Sequence, residues 1–107
     1  MTRRKVVTTR RADEDIDGAI DHYLGEGAED AALGFIDALA DARNLLAEHP
    51  HVGSARLTAE IGLPDLRTFA LPRYPYILFT AEDAGFVRII RVLQMSRDIP
   101  AELLDER

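Results

Sequence analysis

The segment 66–98, LRTFALPRYPYILFTAEDAGFVRIIRVLQMSRD, constrains the fold more than any other part of the chain. Leu66 to Leu71, Tyr76 to Thr80 and Phe86 to Leu93 are rich in β-branched, aromatic and aliphatic residues, the composition of strands. Between them lie Pro72 to Pro75 and Ala81 to Gly85, which hold the Pro, Asp and Gly that turns need. The spacing predicts a three-stranded antiparallel meander. A sheet with one wet face alternates apolar and polar residues, yet Tyr76 and Leu78 fall on one face of the middle strand, Ile77 and Phe79 on the other, and all four are apolar. The last strand repeats the pattern, with Phe86, Ile90 and Val92 assigned to one face and Val87, Ile89 and Leu93 to the other. Both faces of the sheet therefore require cover.

Cover for one face is supplied upstream. A candidate strand at Lys5 to Thr8 leads to Thr9, placed to cap a helix, and Asp13, Glu14 and Asp15 crowd the first turn, where the helix dipole favours negative charge. Ile16, Ala19, Ile20, Tyr23 and Leu24 form one apolar stripe, ended by Gly25 and Gly27. A second helix is predicted over Glu29 to Glu48, with Ala32, Phe35, Ile36, Leu39, Ala42 and Leu46 inward and Asp37, Asp41 and Arg43 outward; Pro50 and Gly53 stop it. Because only Gly25 to Ala28 separates them, the two helices fold back as an antiparallel hairpin. The stretch His51 to Asp65 reads as a loop with a short turn at Thr58 to Ile61, and residues 99–107 as one helical turn or a frayed end. The expected fold is α+β: an N-terminal strand and an antiparallel helix hairpin packed on one face of a small, mainly antiparallel β-sheet, all within one domain, 1–107. The other face is left to bury against a partner.

Charge limits the partner. The net charge of −6 is unevenly spread: residues 1–11 carry +5, 12–48 carry −10, 49–98 carry +1 and 99–107 carry −2. An acidic chain does not grip a nucleic-acid backbone with its whole surface, although a local basic face on the sheet remains open to it. With no cysteine there is no disulfide, thiol nucleophile or Cys-based zinc site. No run approaches the roughly 18 apolar residues of a membrane span, and MTRRKVVTTRR lacks the apolar core of a signal peptide, so a cytoplasmic protein is expected.

Three segments, ADEDIDGAIDHY (12–23), RTFALPRYPYILF (67–79) and IIRVLQMSRD (89–98), resemble the RelE/ParE superfamily of bacterial toxins, and the last resembles its ParE-like branch. ParE-like members typically end the final strand with a hydrophobic-Arg-Val-Leu-His run followed by Arg-Asp, and here Gln94 stands where that His would be. The resemblance spans Val6 to Asp98. It implies the toxin of a type II toxin–antitoxin pair, bound and neutralised by a ParD-like antitoxin in a hetero-oligomer and poisoning DNA gyrase, with DNA contacted only through those partners. The alternative from the same superfamily is a RelE-like, ribosome-dependent mRNA endoribonuclease.

Cleaving RNA requires positive or acid–base groups on an exposed sheet face. The candidates for contact with antitoxin or target are Arg67, Arg73, Tyr74, Arg88, Arg91 and Arg97, with Arg88 and Arg91 expected on opposite faces of the last strand. An arginine on a small sheet more often pairs with a carboxylate than serves a site, and nineteen acidic residues are available. Tyr74 and Tyr76 equally suit edge packing around Pro75, and Tyr23 the core. His49 and His51 straddle Pro50 in a loop and make a poor metal site, while His22 points away from the apolar stripe. Ser54 and Ser96 lie in no nucleophile motif and no Gly-rich phosphate loop exists. No catalytic residue, cofactor or metal is therefore assigned, and a non-enzymatic, protein-binding role is expected.

Overall fold

The computed structural model describes residues 3–95 and 98–104. The chain runs β1 (Lys5–Thr8), α1 (Arg10–Gly25), α2 (Glu29–Glu48), α3 (Arg56–Glu60), β2 (Leu66–Ala70), β3 (Tyr76–Asp83), β4 (Phe86–Gln94) and α4 (Ile99–Leu104). The fold is α+β, with a four-stranded sheet in the order β1-β4-β3-β2. β2, β3 and β4 form the antiparallel meander, and β1 adds to β4 in parallel, pairing Lys5 with Phe86 and Thr8 with Ile89.

The local chemistry explains the boundaries. Thr9 caps α1 by accepting from the Ala12 N–H at 3.1 Å, and its hydroxyl donates to the Ile90 carbonyl at 2.7 Å, fixing the helix start to β4. Gly27, at φ 72°, makes the left-handed step out of α1, and the Ala28 N–H returns to the Tyr23 carbonyl at 2.8 Å. β3 extends through Asp83, past the expected turn at Ala81, because Glu82 and Asp83 still pair with Val87 and Phe86; the turn is left to Ala84 and Gly85.

The helix hairpin covers one sheet face. Phe35, Leu39, Ala42 and Leu46 of α2 and Ala12 and Ala19 of α1 meet Leu78, Val87, Ile89 and Val92 in one cluster, with Ile16, Ile20 and Tyr23 packed at its rim. Phe35 and Leu46 are fully buried, each contributing about 1.5–3 kcal/mol. Two inward assignments and one outward assignment fail at the edges: Ile36 is 42% and Leu24 49% exposed, whereas Arg43, expected outside, turns in to donate to the Val6 carbonyl at 3.0 Å.

The second face is not left open, contrary to the sequence-based expectation. The chain closes it with its own short elements: Leu63, Phe79, Leu93, Ile99 and Leu103 form a second cluster, with Leu57, Ile61, Leu66 and Ile77 against it. The stretch expected to be loop carries α3, anchored by the buried Thr58 hydroxyl, which donates to the Ala55 and Leu66 carbonyls. Ser54 bridges to Thr68 on the β2 edge. Gly53, at φ 102°, permits this approach, since a Cβ there would sit 2.2 Å from the Thr68 carbonyl oxygen. Among the described residues no helix is long and apolar enough to cross a membrane.

A bulge changes the face assignments in β4. Pairing runs Phe79 with Arg91 and then Thr80 with Ile89, so Ile90 is the extra residue. Alternation restarts there, so Val87, Ile89 and Val92 all reach the first core while Leu93 reaches the second. Arg88, opposite Ala81, and Arg91, opposite Phe79, consequently share the second face instead of opposing one another.

Candidate functional site

The bulge gathers three of the sequence-predicted arginines. Arg67 from β2 and Arg88 and Arg91 from β4 line one cleft of about 710 Å³, walled by Leu63, Leu66 and Leu103 of the second core. Their situations differ. Arg91 is 3% exposed and is clamped on both sides: Nε and Nη2 donate to the Asp15 carboxylate at 2.7 and 2.9 Å, Nη1 donates to the Glu102 carbonyl at 3.3 Å, and Nη2 lies 3.5 Å from the Glu102 carboxylate. The same Asp15 carboxylate accepts from the Val92 N–H at 2.9 Å. One guanidinium thus ties α1, β4 and α4 together, a bidentate pairing suited to arginine's planar fork.

Arg88 is half-exposed. Its Nε lies 2.6 Å from Asp83 Oδ2, an ion pair by distance whose alignment does not make a hydrogen bond. Arg67 is half-buried, and its side chain makes no hydrogen bond or ion pair among the described residues. On the cleft's rim Glu82 is held by Arg4 at 3.1 Å and lies 3.6 Å from His51 Nε2. Asp65, Glu82 and Asp83 balance the arginines, so the cleft has mixed polarity, suited to the polar surface of a protein rather than to a bare phosphate chain.

Arg73 and Tyr74 lie elsewhere, in the turn from β2 to β3 at the far end of β3 from the cleft. Arg73 is held at φ 71°, a left-handed conformation uncommon outside glycine, with no ion pair among the described residues. Prolines 72 and 75 bracket it, and the Leu71 N–H bonds the Tyr76 carbonyl at 3.0 Å, so the turn is rigid. It borders a groove of about 350 Å³ beside Asp37 and Asp41 of α2. Arg97 lies outside the described residues.

Tyr74 belongs to an aromatic cluster with Tyr23, Phe35 and Tyr76, ring centroids 5.2–6.5 Å apart, that locks the turn to the helix hairpin. Burial, and secondarily Tyr76, Tyr74 and Glu26, raise the Tyr23 pKa above 10.0; the cluster's contribution is intact below that pH and is lost as pH rises through the folded-state value. Gly34 makes the seat for Tyr74, since a Cβ there would lie 2.0 Å from the Tyr74 hydroxyl oxygen and 3.2 Å from Cζ. Glycine-to-alanine changes inside a helix normally stabilise by about 0.5–1 kcal/mol. Here Gly34→Ala is expected to destabilise instead, by about 1–2 kcal/mol, because overpacking outweighs propensity. Adding Tyr74→Phe removes the worst contact, and thermal melts of the four proteins in the cycle should show a favourable coupling.

The sequence reading missed Asp15 and Glu102, and gave Gly34 no role. Asp15 had a signal: it lies three residues after Ala12 and four before Ala19, both buried, so it falls on the inward stripe of α1. A carboxylate there requires a buried cation. Glu102 and Gly34 carried no comparable pattern. Among the described residues no group of three or more His, Asp and Glu is placed to hold a metal.

The family model described as "ParE toxin of type II toxin-antitoxin system, parDE" matches residues 6–99. Among solved structures, a chain of the "Chromosomal ParDE TA system from P. aeruginosa" superimposes with a TM-score of 0.72 at 22% identity, covering 87% of this chain and 97% of that one. No curated protein matches the sequence.

Proposed function

The chain belongs to the family of ParE toxins of type II toxin–antitoxin systems, and from that membership we propose that it arrests growth by binding DNA gyrase without catalysis of its own, and that a ParD-like antitoxin neutralises it by direct contact in the cytoplasm. The observation that carries the target-binding half is Arg67. It is half-buried and its guanidinium has no partner among the described residues, in a cleft of mixed charge, the setting in which an arginine anchors a protein interface. Arg88 flanks it on the same face. Arg91 holds the cleft wall in place, and Arg73 and Tyr74 form a separate rigid turn.

A non-catalytic reading fits the side chains. Guanidinium groups stay charged and are poor proton shuttles, and Gln94 at the end of β4 cannot titrate. One observation favours the RelE-like alternative, mRNA cleavage on the ribosome: His51 and Glu82 stand 3.6 Å apart at the rim of the arginine cleft.

The purified protein should inhibit gyrase supercoiling of a plasmid and leave ribosome-bound messages intact. Arg67→Ala should weaken inhibition roughly 10-fold or more, the cost of truncating an interface arginine, with an unchanged melting temperature. Codon-dependent cuts in messages, abolished by His51→Ala, would replace the gyrase reading with the nuclease one.

A further inference from the structure

The turn from β2 to β3 breaks a local rule at its most exposed point. A left-handed position in a tight hairpin turn is ordinarily filled by Gly, Asn or Asp, yet here φ 71° is held by Arg73, whose Cβ strains that conformation. The turn gains nothing internally from the side chain, which is exposed and makes no hydrogen bond or ion pair among the described residues. The surroundings nonetheless hold it firmly. Tyr74 packs on Tyr23 and Phe35 with ring centroids 6.0 Å apart, Tyr76 lies 5.2 Å from Phe35, and Gly34 leaves out a Cβ within α2 to seat Tyr74. A glycine inside a helix and an arginine in a left-handed turn each lower stability, and both serve to fix one cation between the exposed Pro72 and Pro75. Asp37 and Asp41 line the neighbouring groove without an ion pair to Arg73, and balancing their charge would not require an arginine in this conformation.

We infer that Arg73 is a recognition residue for the target protein: a preorganised cation that pairs with a carboxylate on the target, while Pro72 and Pro75 pack on apolar side chains beside that carboxylate. Arginine's planar fork suits a carboxylate bidentately, and a turn already locked in place has little conformational freedom left to lose on binding. A phosphate backbone is a poor occupant, because the exposed Asp37 and Asp41 stand beside the turn on an acidic helix. The inference rests on the reading that this chain inhibits its target by binding it. To that reading it adds a second contact, at the far end of β3 from Arg67 and built on the opposite hydrophobic core from the one that walls the arginine cleft.

The test compares the full chain with R73G and R73K in the inhibition of plasmid supercoiling by purified gyrase, with thermal melts and sedimentation of each protein alongside. Glycine fits the left-handed position better than arginine, so R73G should melt no lower than the parent while its inhibition falls roughly 10-fold or more. R73K keeps the charge and the backbone demand but not the planar fork, and should stay weaker than the parent by roughly 3-fold or more. Parent-like inhibition by R73G overturns the inference and leaves gyrase standing as the target. A melting temperature of R73G below the parent's would show the side chain to be structural and overturns it equally. Parent-like inhibition by R73K overturns the pairing with a carboxylate. A parent dimer that R73G dissociates would assign Arg73 to a contact between copies, against the inference. Failure of the parent chain itself to inhibit gyrase overturns the target reading and this inference with it.

Discussion

Arg91→Ala is expected to lower the free energy of unfolding by about 3–5 kcal/mol, the cost of removing one partner from a buried ion pair. The Asp15 carboxylate, 15% exposed, would keep its bond from the Val92 N–H and lose both guanidinium bonds, and α4 would lose the contacts through Glu102. Domains of this size are stable by about 5–15 kcal/mol in total, so the variant should melt many degrees below the parent and unfold at a much lower urea concentration. Replacing both members, Arg91→Leu with Asp15→Leu, should recover most of the loss, because the penalty comes from a stranded charge and not from the absence of the pair. A loss of toxicity in Arg91→Ala would then report a loosened fold. An Arg91→Ala protein that melts like the parent would instead return Arg91 to the list of target contacts.

That distinction was only half legible in the sequence. Period-2 and period-3.6 patterns place α2 over Glu29 to Glu48 and locate the three meander strands, because core-facing side chains must recur at those spacings whatever they pack against. The first core follows from them. What alternation cannot reveal is a single inserted residue: Ile90 is as apolar as its neighbours, so nothing in the string IIRVL marks where the strand skips a step, and Arg88 and Arg91 fall on the wrong faces. The cover of the second face is hidden for a related reason. α3 has five residues and α4 six, too short to show a periodic stripe, and their apolar residues acquire a direction only once Phe79 and Leu93 are in place. Arg67 and Arg88 could be nominated as surface cations, but their convergence in one cleft with Arg91 depends on the bulge.

The short α4 therefore carries more than its composition indicates, and its removal should have the largest effect of all. Ending the chain at Asp98 strips Ile99 and Leu103, 9% and 3% exposed, from a cluster whose remaining members include Phe79 at 0% and Leu93 at 3%. At about 1.5–3 kcal/mol per buried aliphatic side chain, the two losses alone amount to about 3–6 kcal/mol. Loss of the Glu102 contacts to Arg91 adds to this, since the two share a network and will not behave independently. The truncated protein should bind a hydrophobic dye such as ANS and associate on concentration, because the uncovered face of β3 and β4 would be a contiguous apolar patch. The full chain should do neither through that face, so whatever dependence it shows on an antitoxin must come from another surface. Leu103→Asp gives the same result without shortening the chain, as a carboxylate cannot be solvated inside that cluster. If the truncated chain melts with the parent and binds no dye, α4 is not the cover, and the second face returns to being the surface that a partner must bury.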